Sequence, residues 1–183
     1  MDTAKYADLA RAKHPRFKIS LLTIARLEKE KRIDRAIDAL KAVREAGHDA
    51  GLTIVGSGSI EGVLRAKVRD LGLERYVEFV GWQDDLKAYF STADLLLVTS
   101  DYEGYGMIII ESLAAGVPVL STDVGIAREA GAMVVTAEEF SKSLLKWIAG
   151  GPRKGELQMS YPYADFDSYV RAWCEDIRAS SKA

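Results

Sequence analysis

An α/β domain with a doubly wound parallel sheet of about six strands is the fold this sequence predicts, on three observations. Short β-rich apolar runs recur, and several are continuously apolar, as expected when both faces of a parallel sheet are covered. Amphipathic helical patterns fill the intervals, which implies right-handed crossovers between parallel strands. The chain has 183 residues, 48% of them hydrophobic, enough for one domain with a proper core.

The first run, ISLLTIA, spans 19–25. RIDRAIDALKAVREAG (32–47) then sets Ile33, Ala36, Ile37, Leu40 and Val43 on one helical stripe, with Gly47 placed to cap its end. GLTIVG (51–56) is the second run, and IEGVLRAKVRDLG (60–72) is a helix that again closes on glycine. YVEFVG (76–81) is the third, followed by the helix DDLKAYFSTA (84–93) with Asp84 as its N-cap. DLLLVTS (94–100) is the fourth, and YGMIIIESLAAG (105–116) is an apolar helix ending at Gly116 with Pro118 just beyond. VPVLST (117–122) and the weaker AMVVTA (132–137) complete the sheet, and 137–149 reads as a helix. We read 1–183 as one domain with a core at 18–150, a linker at 151–163 and a C-terminal helix at 164–180.

Composition argues against several partners. Lysine plus arginine is 25 and aspartate plus glutamate is 27, so a net charge of −2 gives no electrostatic reason to expect nucleic acid or an acidic membrane surface. A single cysteine, Cys174, excludes an internal disulfide and suits a reducing compartment. No apolar run approaches the ~18 residues of a spanning helix, and MDTAKYADLARAKH lacks the apolar stretch of a signal peptide. A cytoplasmic protein is expected.

In open parallel sheets, ligands bind outside the carboxyl ends of the strands, where strand order reverses. The turns after the runs are therefore the places to look. ARLEKEK (25–31) carries Arg26 and Lys31, with Glu28 and Glu30 interleaved; this is either a solvated charged face or a cationic strand end. VGSGS (55–59) offers backbone N–H groups to a phosphate through Gly56 and Ser57, or is a glycine turn for packing. It is not a dinucleotide fingerprint, because Gly62 falls one position late and the turn follows the second strand. In GWQDDL (81–86), Trp82 either stacks on a base or caps the sheet. The strict D-x-D, DFD at 165–167, follows no strand, and neither His14 nor His48 stands in a metal or triad spacing, so no metal site is expected.

The stretch YEGYGMIIIE (102–111) is the most specific. Glu103 falls in a loop at the mouth of the sheet, and Gly104 and Gly106 allow close backbone approach. Glu111 is a lone carboxylate inside an apolar helix, where an unpaired charge is expensive. It pairs with a lysine, snorkels to solvent, or accepts bonds from ligand hydroxyls.

Together these residues resemble the donor-binding, C-terminal half of retaining glycosyltransferases of the GT-B fold, family 4, from about Ile19 to Ala149. The E-x7-E motif from Glu103 to Glu111, followed by SLAAGVPVLSTDVG (112–125), carries the likeness, with ARLEKEKRID, VGSGS and VEFVGW in matching order. Ala25 and Arg32 replace glycines usual in the basic loop, Ile126 replaces a second glycine, and the Asn/Gly-rich turn before AMVV is missing. The resemblance implies a Rossmann-like lobe in which Arg26 and Lys31 bind the diphosphate of a UDP-, GDP- or ADP-sugar. Glu111 would hold the ribose, Glu103 would face the sugar, and Gly106 and Met107 would cradle sugar or phosphate, with 80–84 bordering the base. No metal or other cofactor is then required. It also implies a missing acceptor lobe, on a longer polypeptide or a partner chain, with a lipid acceptor at a membrane surface as one option. Two other readings stay open: a nucleotide-binding module without turnover and, more weakly, one lobe of a sugar-nucleotide epimerase.

Overall fold

The computed structural model of the chain describes residues 9–158, together with Tyr6, Val170, Arg171 and Cys174. Nearly all of the helix expected at 164–180, and the whole DFD triplet, lie outside the described residues.

Six parallel strands form one sheet: β1 (Ile19–Ile24), β2 (Ala50–Val55), β3 (Val77–Gly81), β4 (Leu95–Val98), β5 (Val119–Ser121) and β6 (Met133–Val134). Their order is β3-β2-β1-β4-β5-β6, so the winding reverses between β1 and β4. The helices are α1 (Ile33–Glu45), α2 (Glu61–Asp70), α3 (Lys87–Thr92), α4 (Met107–Ala114), α5 (Ala127–Ala130) and α6 (Phe140–Gly150). The predicted doubly wound sheet is thus present. The sequence reading missed α5, and it began α3 too early: Asp85, not Asp84, accepts the Lys87 N–H, at 3.0 Å, ahead of the first turn.

Alternation along the strands divides the core into two layers. Leu21, Leu52, Ile54, Leu95, Leu97 and Leu120 pack under α1, α2 and α6. Leu22, Val55, Leu96, Val98 and Val119 pack under α3, α4 and α5, with Phe90, Ile109 and Ile110 sealing that face. Each such aliphatic side chain contributes roughly 1.5–3 kcal/mol by leaving water. Helices α1, α2 and α4 end in the same way. The N–H of the glycine (Gly47, Gly72, Gly116) and that of the next residue turn back onto carbonyls of the last turn, as in Val117 to Ser112 at 2.9 Å. Residues 151–158, within the stretch read as a linker, lie against the body: Gly155 N–H donates to Gly116 and Gln158 N–H to Ala130. Among the described residues no helix is long and apolar enough to cross a membrane.

Candidate functional site

The loops after β1 and β4 leave the sheet toward opposite faces, and they open a crevice at its carboxyl edge. One wall is nearly all backbone. Leu27 N–H donates to Ser57 at 2.9 Å, and Ile60 N–H donates to Leu27 at 3.1 Å. Gly56 has φ 129°, and a Cβ there would overlap the Ala25 carbonyl; a Cβ at Gly58 would overlap that of Leu27. The glycines of VGSGS are therefore required by two main chains in contact. Glu28 fastens the same junction, accepting the Ser59 N–H at 3.0 Å and its hydroxyl at 2.6 Å. Those two bonds hold the Glu28 carboxyl below its usual range.

A bulge where β2 and β3 end presents the next residues. The register slips so that Val55 stands opposite Gly81, skipping Val80, and Gly56 N–H donates to Gly81. The skipped Val80 carbonyl accepts the Gln83 side-chain amide at 2.9 Å. Trp82 projects into solvent, 67% exposed, and its indole N–H donates to Asp84 at 3.1 Å. Asp84 thus orients an aromatic plane.

Trp82, Gln83 and Asp84 line a cavity of about 260 Å³ with Arg26, Gly56 and Glu111. Four of the residues singled out in the sequence, Arg26, Gly56, Trp82 and Glu111, are therefore on one cleft. Glu111 is half-buried on the face of α4 that looks into it. Arg26 is mostly exposed, resting on Glu30 at 3.4 Å.

Lys31 and Glu103, both singled out in the sequence, meet each other, Nζ to Oε2 at 2.8 Å, with side chains only 12% and 14% exposed. Ser100 donates its hydroxyl to the other Glu103 oxygen at 2.8 Å. Each charge offsets the other, so the desolvation of both is tolerated. Lys31 is accordingly not a bare cation beside Arg26. Gly106 is buried at φ 89° just ahead of α4, while Ser57, Gly104 and Met107 are exposed.

Four residues with no role in the sequence reading, Arg32, Asp34, Arg35 and Asp101, tie the two loops together. Arg32 grips Asp34 with two donors, Nε at 3.1 Å and Nη2 at 3.0 Å, and reaches Asp101 with Nη1 at 3.1 Å. Arg35 meets the other Asp101 oxygen at 2.6 Å and donates to the Thr99 carbonyl at 3.0 Å. Burial acts to raise the Asp101 carboxyl, but the bonds from Arg35 and Arg32 outweigh it and hold it low. Arg32 has φ 47°, the left-handed region where glycine is at home. The usual glycine at this place in the basic loop was the one signal available in the sequence. A second, more polar hollow of about 370 Å³ lies beyond β4, β5 and β6, lined by Arg35, Asp101, Thr122, Asp123 and Arg128 among others.

Residues 8–152 match the model of the family described as glycosyl transferases group 1. The chain is 33% identical over 113 residues to the amylovoran biosynthesis glycosyltransferase AmsK of Erwinia amylovora, covering 57% of this chain and 28% of that protein. It is 28% identical over 159 residues to a GDP-mannose-dependent alpha-(1-6)-phosphatidylinositol dimannoside mannosyltransferase of Mycobacterium tuberculosis, covering 84% and 42%. Among solved structures, Anabaena HepE in complex with UDP shares the fold with a TM-score of 0.65 at 23% identity, over 74% of this chain and 40% of that one. The chain spans less than half the length of each of these proteins.

Proposed function

The chain belongs to the group 1 glycosyl transferases, and from that premise we propose that it is the nucleotide-sugar donor lobe of a retaining, metal-independent enzyme. The observation that carries the reading is the convergence of Arg26, Gly56, Trp82 and Glu111 on one cleft at the switch point. Trp82 offers a stacking plane for a base, worth about 1–3 kcal/mol on the scale of base–aromatic contacts. Glu111, from α4, accepts the ribose hydroxyls. Arg26 meets the diphosphate, and the N–H groups at the start of α4 add to it. Lys31 has three donors and gives one to Glu103, so two remain for a phosphate oxygen. Glu103 then lies between the leaving phosphate and the sugar. In this reading, cations and helix N–H groups carry the leaving-group charge and no metal is used.

The M. tuberculosis relative is named for GDP-mannose and HepE was solved with UDP, which supports a nucleotide-sugar donor and leaves the base open. Both are more than twice as long as the portion this chain covers. In this reading the acceptor half belongs to another lobe, on the same polypeptide or a partner, with a lipid as one acceptor class. Titration calorimetry of the chain with UDP, GDP and ADP tests the reading. One of the three is expected to bind in preference to its nucleoside. Failure of all three to bind at millimolar concentration would refute it.

A further inference from the structure

We propose that Arg32, acting through Asp101, is a positioning residue that sets the Lys31–Glu103 pair. The inference rests on the donor-site reading only for its ligand assay.

Lys31 and Glu103 sit on different loops that diverge at the switch point. The ladder between β1 and β4 aligns just two residue pairs, Leu21 with Leu95 and Leu22 with Leu96. Beyond it, no strand pairing fixes how the loops face each other. Arg32 follows Lys31 directly, and Asp101 stands two residues before Glu103, so the Arg32–Asp101 bond at 3.1 Å lies within two residues of each member of the pair. Asp34 holds the guanidinium by two parallel bonds, which fixes the direction in which its remaining donor points. Asp101 is held in turn by Arg35 and by its own N–H to the Glu30 carbonyl at 2.8 Å. The tie is thus rigid at both ends.

The backbone supports the same conclusion. Among the described residues, Arg32 is the one non-glycine at positive φ. A side-chain-bearing residue persists in that conformation when surrounding contacts over-determine it. Here one of those contacts, the bond to Asp101, crosses between the two loops, and the other two hold the guanidinium on Asp34. Arg32 and Asp101 touch no proposed ligand atom and act on the pair through its geometry.

Three whole-chain variants test this: Arg32→Gly, Asp101→Asn and the double. Glycine suits the left-handed backbone, so Arg32→Gly removes the tie without adding strain. Each single variant is expected to weaken binding of the preferred nucleoside diphosphate about tenfold, or ~1.4 kcal/mol, with the nucleoside changed less than about twofold. The double should be no worse than either single, because both remove one link. If diphosphate binding is unchanged, or diphosphate and nucleoside weaken together, the positioning role is wrong. A ligand-free arm decides the matter even if wild type binds no nucleotide, an outcome that would overturn the donor-site reading instead. The Lys31–Glu103 coupling energy, from urea unfolding of Lys31→Met, Glu103→Gln and their double, should fall by at least half in the Arg32→Gly background. An unchanged coupling overturns the inference.

Discussion

Replacing Lys31 by methionine isolates the buried ion pair. Methionine keeps the length of the stem and removes the charge, leaving Glu103 bonded to the Ser100 hydroxyl. Breaking a fully buried pair from one side destabilises by about 3–5 kcal/mol, while exposed pairs are worth about 0–1 kcal/mol. At 12% and 14% exposure the pair lies nearer the buried limit, but the remaining Ser100 bond relieves part of the penalty, so about 2–3 kcal/mol is expected for Lys31→Met. For a chain of this length that is a fall in Tm of roughly 4–12 °C. Glu103→Gln alone should be similarly harmful, and Lys31→Met with Glu103→Gln should recover much of the loss, giving a coupling of about 1.5 kcal/mol or more. The built-in control is Lys41 with Glu45, at 2.9 Å but 41% and 64% exposed, where the same cycle should give a much smaller coupling. Urea unfolding of the six variants and wild type supplies the numbers. Equal couplings at the two pairs would show that burial at the switch point does not strengthen this interaction, and the reasoning would fail.

Glu111→Gln should weaken the ribonucleotide by about 1.5–3 kcal/mol and largely abolish preference for it over the 2′,3′-dideoxy form; calorimetry with both ligands checks this. Trp82→Ala should weaken every nucleotide by about 1–3 kcal/mol with little change in Tm, since the ring is exposed. Gly56→Ala combines a positive φ with overlap on the Ala25 carbonyl, so it should destabilise by roughly 3 kcal/mol or more in urea. The Asp34 and Asp101 carboxyls have depressed folded-state pKa values, because the Arg32 and Arg35 bonds outweigh the opposing effect of burial. Their contribution is present above the unfolded carboxylate pKa near 4 and is lost as pH falls through the folded values, so Asp101→Asn should flatten the acid limb of Tm against pH.

The sheet was legible because β1, β2 and β4 are buried on both faces and so read as largely apolar runs. The Gly47, Gly72 and Gly116 stops were legible because their chemistry is local. The helix α5 was not, because its four residues, AREA, are too few to show a period. Asp84 was chosen as a cap over Asp85 although both carry the same group; the choice depends on where the bulge at Val80 sets the chain down. The cleft residues Arg26, Gly56, Trp82 and Glu111 were found because strand ends can be located from the runs. The partnership of Lys31 with Glu103 was not, since two distant loops and opposite charges on each gave several possible pairings. Glu28, Glu30, Glu103 and Asp101 all lay near cations, and three-dimensional distance alone assigned them.

The two sides of the crevice are built of different materials. The side formed by Leu27, Ser57 and Ile60 is main chain against main chain, closed by glycines that leave no slack. The opposite loop is held largely by charge, and the Arg32–Asp101 contact is partly open to water, at 34% and 49% exposure. Mobile ions screen exposed charges over about 8 Å at physiological strength and hardly affect buried ones. Added salt therefore reaches the brace and spares both the buried pair it steadies and the backbone wall across from it. The protein carries an ionic-strength dependence on one jaw only, with the rigid jaw as its fixed reference.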